Sequence, residues 1–194
     1  MRFGRAGTDR NLELALEGNV RKVLCVLAIA GALSCAHGIH AQAAVNACPA
    51  TKTIDELIAA IDAAVSGPAD KDRTCMRKLF VADARLVPLV KSPDGKLVPK
   101  TLTLDDWITR VKVHGSEAFY EKQINYTSDV YGQIAHVWST YETRSAPDGK
   151  PLARGTNSIQ AVNDGSGWKV EQILWETESP AEPLPEKYLP KAHD

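Results

Sequence analysis

From Thr53 onward the apolar positions follow first a helical and then a two-residue period. Ile54, Leu57, Ile58, Ile61 and Val65 recur at helical spacing. Thr53-Ile54-Asp55-Glu56 forms a capping box, in which Thr accepts from the first turn and Glu reaches back. Gly67-Pro68 stops that helix. A second helix is predicted from about Asp70 to Phe80, with Cys75, Met76, Leu79 and Phe80 as its apolar stripe. Arg85 to Val90 reads as a strand, turned by SPDGK at 92–96. Thr103 caps a third helix that carries Leu104, Trp107, Ile108 and Val111 on one face and ends at Gly115. The period then becomes two, with strands predicted at 117–127, 131–144, 153–163 and 167–178. The triplet PDG recurs at 93–95 and 147–149, and it suits a type I turn followed by glycine at positive φ. The expected class is α+β: a cone-shaped, curved antiparallel sheet wrapped around three N-terminal helices.

The strand pattern also predicts register. A turn at Pro147-Asp148-Gly149 sets Glu142 opposite Arg154, Thr140 opposite Thr156, Trp138 opposite Ser158 and His136 opposite Gln160. On the other face Tyr141 covers Gly155, Ser139 meets Asn157 and Val137 meets Ile159. A slip of one residue would lose both the charge pair and the tyrosine over glycine. The odd-numbered face grades from Val137 and Ile159 into Ser139, Asn157 and Tyr141, the pattern of a core that opens into a small pocket. The even-numbered face is mixed and polar, and it suits solvent or a partner sheet. In the last strand parity breaks between Val170 and Ile173, which predicts a β-bulge near Glu171-Gln172 and returns Trp175 to the pocket face near Asn157.

Composition changes this picture mainly at the N-terminus. Residues 23–34, VLCVLAIAGALS, form an apolar run behind Arg21 and Lys22, followed by Ala41-Gln42-Ala43. The run is short for a membrane span and matches a secretory signal, so residues 1–43 are expected to be removed. The stretch before Arg21 is long and includes Asp9, Glu13 and Glu17, which fits a translation start at Val20, and Cys35 offers a weaker lipoprotein alternative. The chain then divides into an arm at 44–52, a domain at 53–178 and a Pro-rich extended tail at 179–194 that either docks or hangs free. The expected location is periplasmic or secreted, with no membrane contact after signal removal. From residue 44 on, 21 acidic and 18 basic side chains leave a net charge of −3 with no basic run, which disfavours nucleic acid. Cys48 and Cys75 remain, and in an exported chain they suggest one disulfide, worth about 3 kcal/mol by loop closure. The alternative is a buried thiol at Cys75 with a loose Cys48.

The order of helices, hairpin, helix and long meander resembles the nuclear transport factor 2-like superfamily. YGQIAHVWSTYETR, ARGTNSIQ and DGSGWKVEQILWE resemble the sheet of its bacterial, polyketide-cyclase-like branch, and the likeness covers about 53–178. It implies a cone-shaped pocket between sheet and helices and a dimer through the sheet. One fold of this kind hosts many activities. Its isomerases use a pocket carboxylate with an oxyanion hole, and the face of the central hairpin bearing Tyr141 offers no carboxylate. Asp83, Asp105 and Asp106 lie at helix edges, where capping explains them.

The candidate ligand pocket is Ser139, Tyr141, Asn157 and Trp175, with Trp107 closing the wall or serving as plain core. The same polar groups read equally well as satisfied core polars. The candidate dimer face is His136, Trp138, Thr140, Glu142, Arg154 and Gln160. No catalytic residue is assigned. His114 and His136 lack helical pairing, so no metal is expected, and no nucleotide or hydrolase motif calls for a cofactor. Asn125-Tyr126-Thr127 is a sequon of little weight. Two functions follow: a module binding a small hydrophobic molecule or a partner, forming a homodimer through the sheet; or an acid–base isomerase, dehydratase or cyclase acting on a hydrophobic ring or carbonyl. An acid beside Tyr141 in a cavity, with its pKa raised, discriminates between them.

Overall fold

The computed structural model describes residues 48–114 and 117–191. The export signal expected over 1–43, the start of the arm, Gly115 and His193 lie outside the described residues. Helix α1 spans Ile54–Val65 and α2 spans Leu104–Lys112, each opened by a complete capping box, Thr53/Glu56 and Thr103/Asp106. Strands β1 (Gly67–Pro68), β2 (Phe80–Lys91), β3 (Leu97–Pro99), β4 (Ala118–Tyr131), β5 (Ile134–Arg144), β6 (Ala153–Asn163) and β7 (Trp168–Thr177) form one sheet in the order β1-β4-β5-β6-β7-β2-β3. All neighbours are antiparallel except β2 with β7.

The helix expected over 70–80 is not formed, so there are two α-helices among the described residues rather than three. Only Met76–Lys78 makes a single 3-10 turn, and β2 starts at Phe80. The cause is local. The Arg73 guanidinium donates to the carbonyls of Ala69 (2.9 Å), Lys71 (3.2 Å) and Pro68 (3.2 Å), which fixes a folded-back loop. Thr74 N–H and hydroxyl donate to Asp72, so the polar side chains compete with helical bonds. Cys75 is disulfide-bonded to Cys48 with the Cα atoms 5.1 Å apart, tying this loop to the arm. The arm is held again where Trp168 N–H donates to the Thr51 carbonyl at 2.7 Å.

The predicted β5–β6 register is the observed one, from Glu142 opposite Arg154 to His136 opposite Gln160. The expected ion pair is replaced: Arg154 binds Glu178 at 2.8 Å, while Glu142 pairs with Arg144. Tyr141 lies over Gly155, where a Cβ would come within 2.4 Å of the tyrosine hydroxyl. The bulge in β7 is present, since the register shifts between Gln160 and Ala161 and leaves Glu171 unpaired. The break expected between 127 and 131 is absent. β4 continues to Tyr131 and turns at Gly132, whose φ of 59° is the left-handed conformation glycine tolerates.

The odd-numbered face of β5 and β6 is concave and packs on α1. Leu57, Val137, Ile159 and Val170 are essentially inaccessible there. The even-numbered face is convex, and the Pro-rich tail docks across it. Thr140 Oγ1 donates to the Tyr188 carbonyl at 2.7 Å, Asn125 Nδ2 donates to the same oxygen at 3.1 Å, and the Trp138 and Tyr188 rings lie 5.7 Å apart.

Candidate functional site

Among several cavities, some of them roomier, two flank the central strands of the sheet. The larger, about 300 Å³, lies on the convex side beneath the tail, among Trp138, Ser158, Leu174, Leu184, Pro185 and Tyr188. The smaller, about 120 Å³, lies on the concave side. Ile61 and Val65 of α1, with Met76, Phe80, Leu86 and Ile173, make its apolar lining. Trp107 from α2, Phe119 from β4 and Trp175 from β7 add aromatic walls, and Glu121 and Asn157 are its polar groups. Size favours the convex cavity, but the perturbed acids and convergent polar groups gather at the concave one, which is therefore the candidate site.

Glu121 reaches this face through a second bulge. Above it, Tyr126 pairs with Ser139 and points at α1, donating its hydroxyl to Asp55 at 2.7 Å. The β4 register shifts between Gln123 and Asn125, so Ile124 is the extra residue. Below the bulge parity is reversed, and Gln123 and Glu121 face the helix instead of Ile124 and Lys122.

Gln123 is the hub. Its backbone N–H donates to Asp62 Oδ2 at 3.0 Å, and its Nε2 donates to Asp62 Oδ1 at 3.2 Å and to Glu121 Oε1 at 3.1 Å. Its Oε1 accepts from Ser139 Oγ and, at 3.1 Å, from Asn157 Nδ2. Both amide hydrogens and both lone pairs are thus used, which locks the side chain between two carboxyls.

Burial pushes Asp62 up to about 6, against the lowering effect of the two bonds from Gln123 and of Lys122 nearby. Burial also pushes Glu121 up to about 7; the charge of Asp62 adds to the rise, and hydrogen bonding by Gln123 and Asn157 opposes it. As a residue Glu121 is only part-buried, so its shift reflects the apolar surroundings of the carboxylate rather than average exposure. Burial raises Tyr141 to about 12 despite its 2.9 Å bond to Thr177, so it stays a neutral phenol.

Of the residues predicted for the pocket, Asn157, Trp175 and Trp107 line the concave cavity. Ser139 and Tyr141 are buried behind it, one bonded to Gln123 and the other to Thr177. Tyr141 makes no hydrogen bond to an acid. The Glu121–Gln123–Asp62 network was not foreseen. Its signal in the sequence is weak: Asp62 follows Ile61 at the edge of the α1 stripe, and the position of Glu121 depends on a bulge. On the convex face, Thr140 and Glu142 are buried, His136, Trp138 and Arg154 part-buried and Gln160 exposed. The Trp138 indole N–H has no partner among the described residues. No group of three or more metal-ligating side chains gathers among the described residues.

Comparison with known proteins gives likeness of fold. A Nostoc punctiforme protein of unknown function with a cystatin-like fold superposes with a TM-score of 0.51 at 15% identity, over 70% of this chain and 99% of its own. A Mycobacterium tuberculosis protein of unknown function gives 0.50 at 14% identity, over 67% and 73%. An NTF2-like protein of unknown function from Shewanella baltica gives 0.44 at 17% identity, over 65% and 91%. The chain matches no family model and no curated protein. The likeness is one of fold: a helix held in the concavity of a bent antiparallel sheet, as in the cystatin-like fold of the Nostoc protein.

Proposed function

We propose that this domain binds a small, largely apolar molecule in the concave cavity, with the aromatic walls enclosing its body and Glu121 and Asn157 holding a polar group. The observation that carries the reading is the pairing of an apolar, aromatic-walled space with convergent polar groups fixed by Gln123. Crystallographic fragment screening tests it. Fragments are expected between Trp107, Trp175 and Glu121, and Trp107→Ala should abolish their binding. Fragments found solely beneath the tail would overturn it.

A second reading, acid–base chemistry on a ring or carbonyl substrate, is favoured by Glu121, raised to about 7 beside that space. A group of that pKa exchanges protons readily at neutral pH. Solvent-deuterium exchange next to the carbonyl of small cyclic ketones should then be catalysed by the wild type and lost in Glu121→Gln. Exchange equal in both proteins would eliminate it.

The reading includes export and a homodimer. Export is supported by the Cys48–Cys75 bridge, since such bonds persist in oxidising compartments. A fusion of the first 50 residues to alkaline phosphatase should be active outside the cytoplasm. The dimer would use the part of the convex face that the tail leaves open, around His136 and Gln160. His136→Glu should then halve the mass measured by light scattering.

A further inference from the structure

The concave cavity is unbalanced in charge. Its lining holds one carboxyl, Glu121, and no basic side chain. Behind Glu121 stands a second acid, Asp62, joined to it through Gln123. Neither forms an ion pair among the described residues. The Arg73 guanidinium sits 5.8 Å from the centroid of the Trp107 ring and is engaged with backbone carbonyls, not with either acid. Lys122 lies near Asp62 and lowers its pKa. Two part-buried acids facing one amide disfavour their own ionisation unless a positive charge arrives.

The rest of the lining suits such a charge. Trp107, Phe119 and Trp175 present three rings, and the face of an aromatic ring attracts a cation, most strongly once the cation is desolvated. Size bounds the guest, because a dry cavity of about 150 Å³ holds benzene, and this one is about 120 Å³.

We propose that the cavity takes a small organic cation, an amine or quaternary ammonium, received by the rings of Trp107, Phe119 and Trp175 and paired with the Glu121 carboxylate. The proposal rests on the reading of this cavity as a small-molecule site and names the chemistry of its ligand. Binding stabilises ionised Glu121, so a permanently charged guest drives a proton off it below pH 7. The groups facing Glu121 are Asp62 from α1, Gln123 from β4, Tyr141 from β5 and Asn157 from β6. Of these only Asp62, raised to about 6, titrates in the same window and in the same sense. Tyr141 stays neutral throughout.

The test titrates the isotope-labelled protein with tetramethylammonium chloride, following the indole N–H resonances of Trp107 and Trp175 by NMR. Sodium chloride corrects for ionic strength, and tert-butanol serves as a neutral molecule of similar size. Tetramethylammonium is expected to move both resonances at pH 8, with affinity roughly tenfold weaker at pH 6. Glu121→Gln should abolish the response, and tert-butanol should give a weak, pH-independent one. If Glu121→Gln does not fold, the two wild-type pH values decide. Equal affinity at both pH values, or an unchanged response in Glu121→Gln, overturns the proposal. A response to tert-butanol without one to tetramethylammonium overturns it too, but leaves the small-molecule reading standing. Silence toward both overturns both.

Discussion

The two faces of one sheet are closed in different ways. The concave face is covered by α1, whose apolar stripe meets Val137, Ile159 and Val170, and its polar residues are joined side chain to side chain through Gln123. The convex face is covered by an extended tail that is held largely by its backbone: the Tyr188 carbonyl takes bonds from both Thr140 and Asn125. A helix seated on a bent sheet buries contiguous apolar area and fixes a buried polar cluster. A proline-rich strap buries less, and its acceptors are equally at home in water. The main core and the perturbed acids thus lie on the concave side, while the convex side is covered by a segment held through few contacts.

The sharpest way to break this comparison is in the α1 interface. Leu57→Ala removes a fully buried side chain and should cost about 2–5 kcal/mol in chemical denaturation. Cutting the disulfide with Cys75→Ala frees the arm that Trp168 grips and should cost about 3 kcal/mol, with the same loss in wild-type protein under reductant. Deleting the chain from Pro180 removes the bonds from Thr140 and Asn125 to the Tyr188 carbonyl, that from Leu184 N–H to Glu178 and the ring of Tyr188, and should cost about 2 kcal/mol while shifting Trp138 emission to the red. A deletion as costly as Leu57→Ala would erase the distinction between the faces. The smallest effect concerns charge. Because folding raises the pKa of Glu121, its contribution favours the fold at low pH and is lost as pH rises through about 7. Glu121→Gln should therefore be more stable than wild type by on the order of 1 kcal/mol at pH 8, with the difference vanishing near pH 4.

Local chemistry was legible in the sequence, and long-range pairing was not. The two capping boxes, the PDG turn and the alternation of 134–163 fixed α1, α2 and the β5–β6 register, because each depends on residues close in the chain. The bulge at Glu171 was readable because Val170 and Ile173, both apolar, break parity within one strand. The bulge at Ile124 leaves no such mark, since Tyr126 and Ile124 are both plausible inward residues. Misjudging it hides Gln123 and Glu121, and with them the acid pair. The segment at 70–80 has helical spacing, yet Arg73 satisfies loop carbonyls and β2 pairs in parallel with β7, contacts made across about ninety residues. The candidate pocket was thus half legible: Asn157, Trp175 and Trp107 came from parity and helix phase, and the carboxyls did not.

Everything on the concave side depends on Glu121 lying in the apolar-lined cavity beside Asp62. Carbon-detected NMR titration of the glutamate side-chain carboxyls, with Glu121→Gln to assign the signal, tests it most directly. A Glu121 midpoint near 7 is expected, falling in Asp62→Asn as the neighbouring charge is removed. A midpoint in the ordinary carboxylate range, indifferent to Asp62, would contradict it.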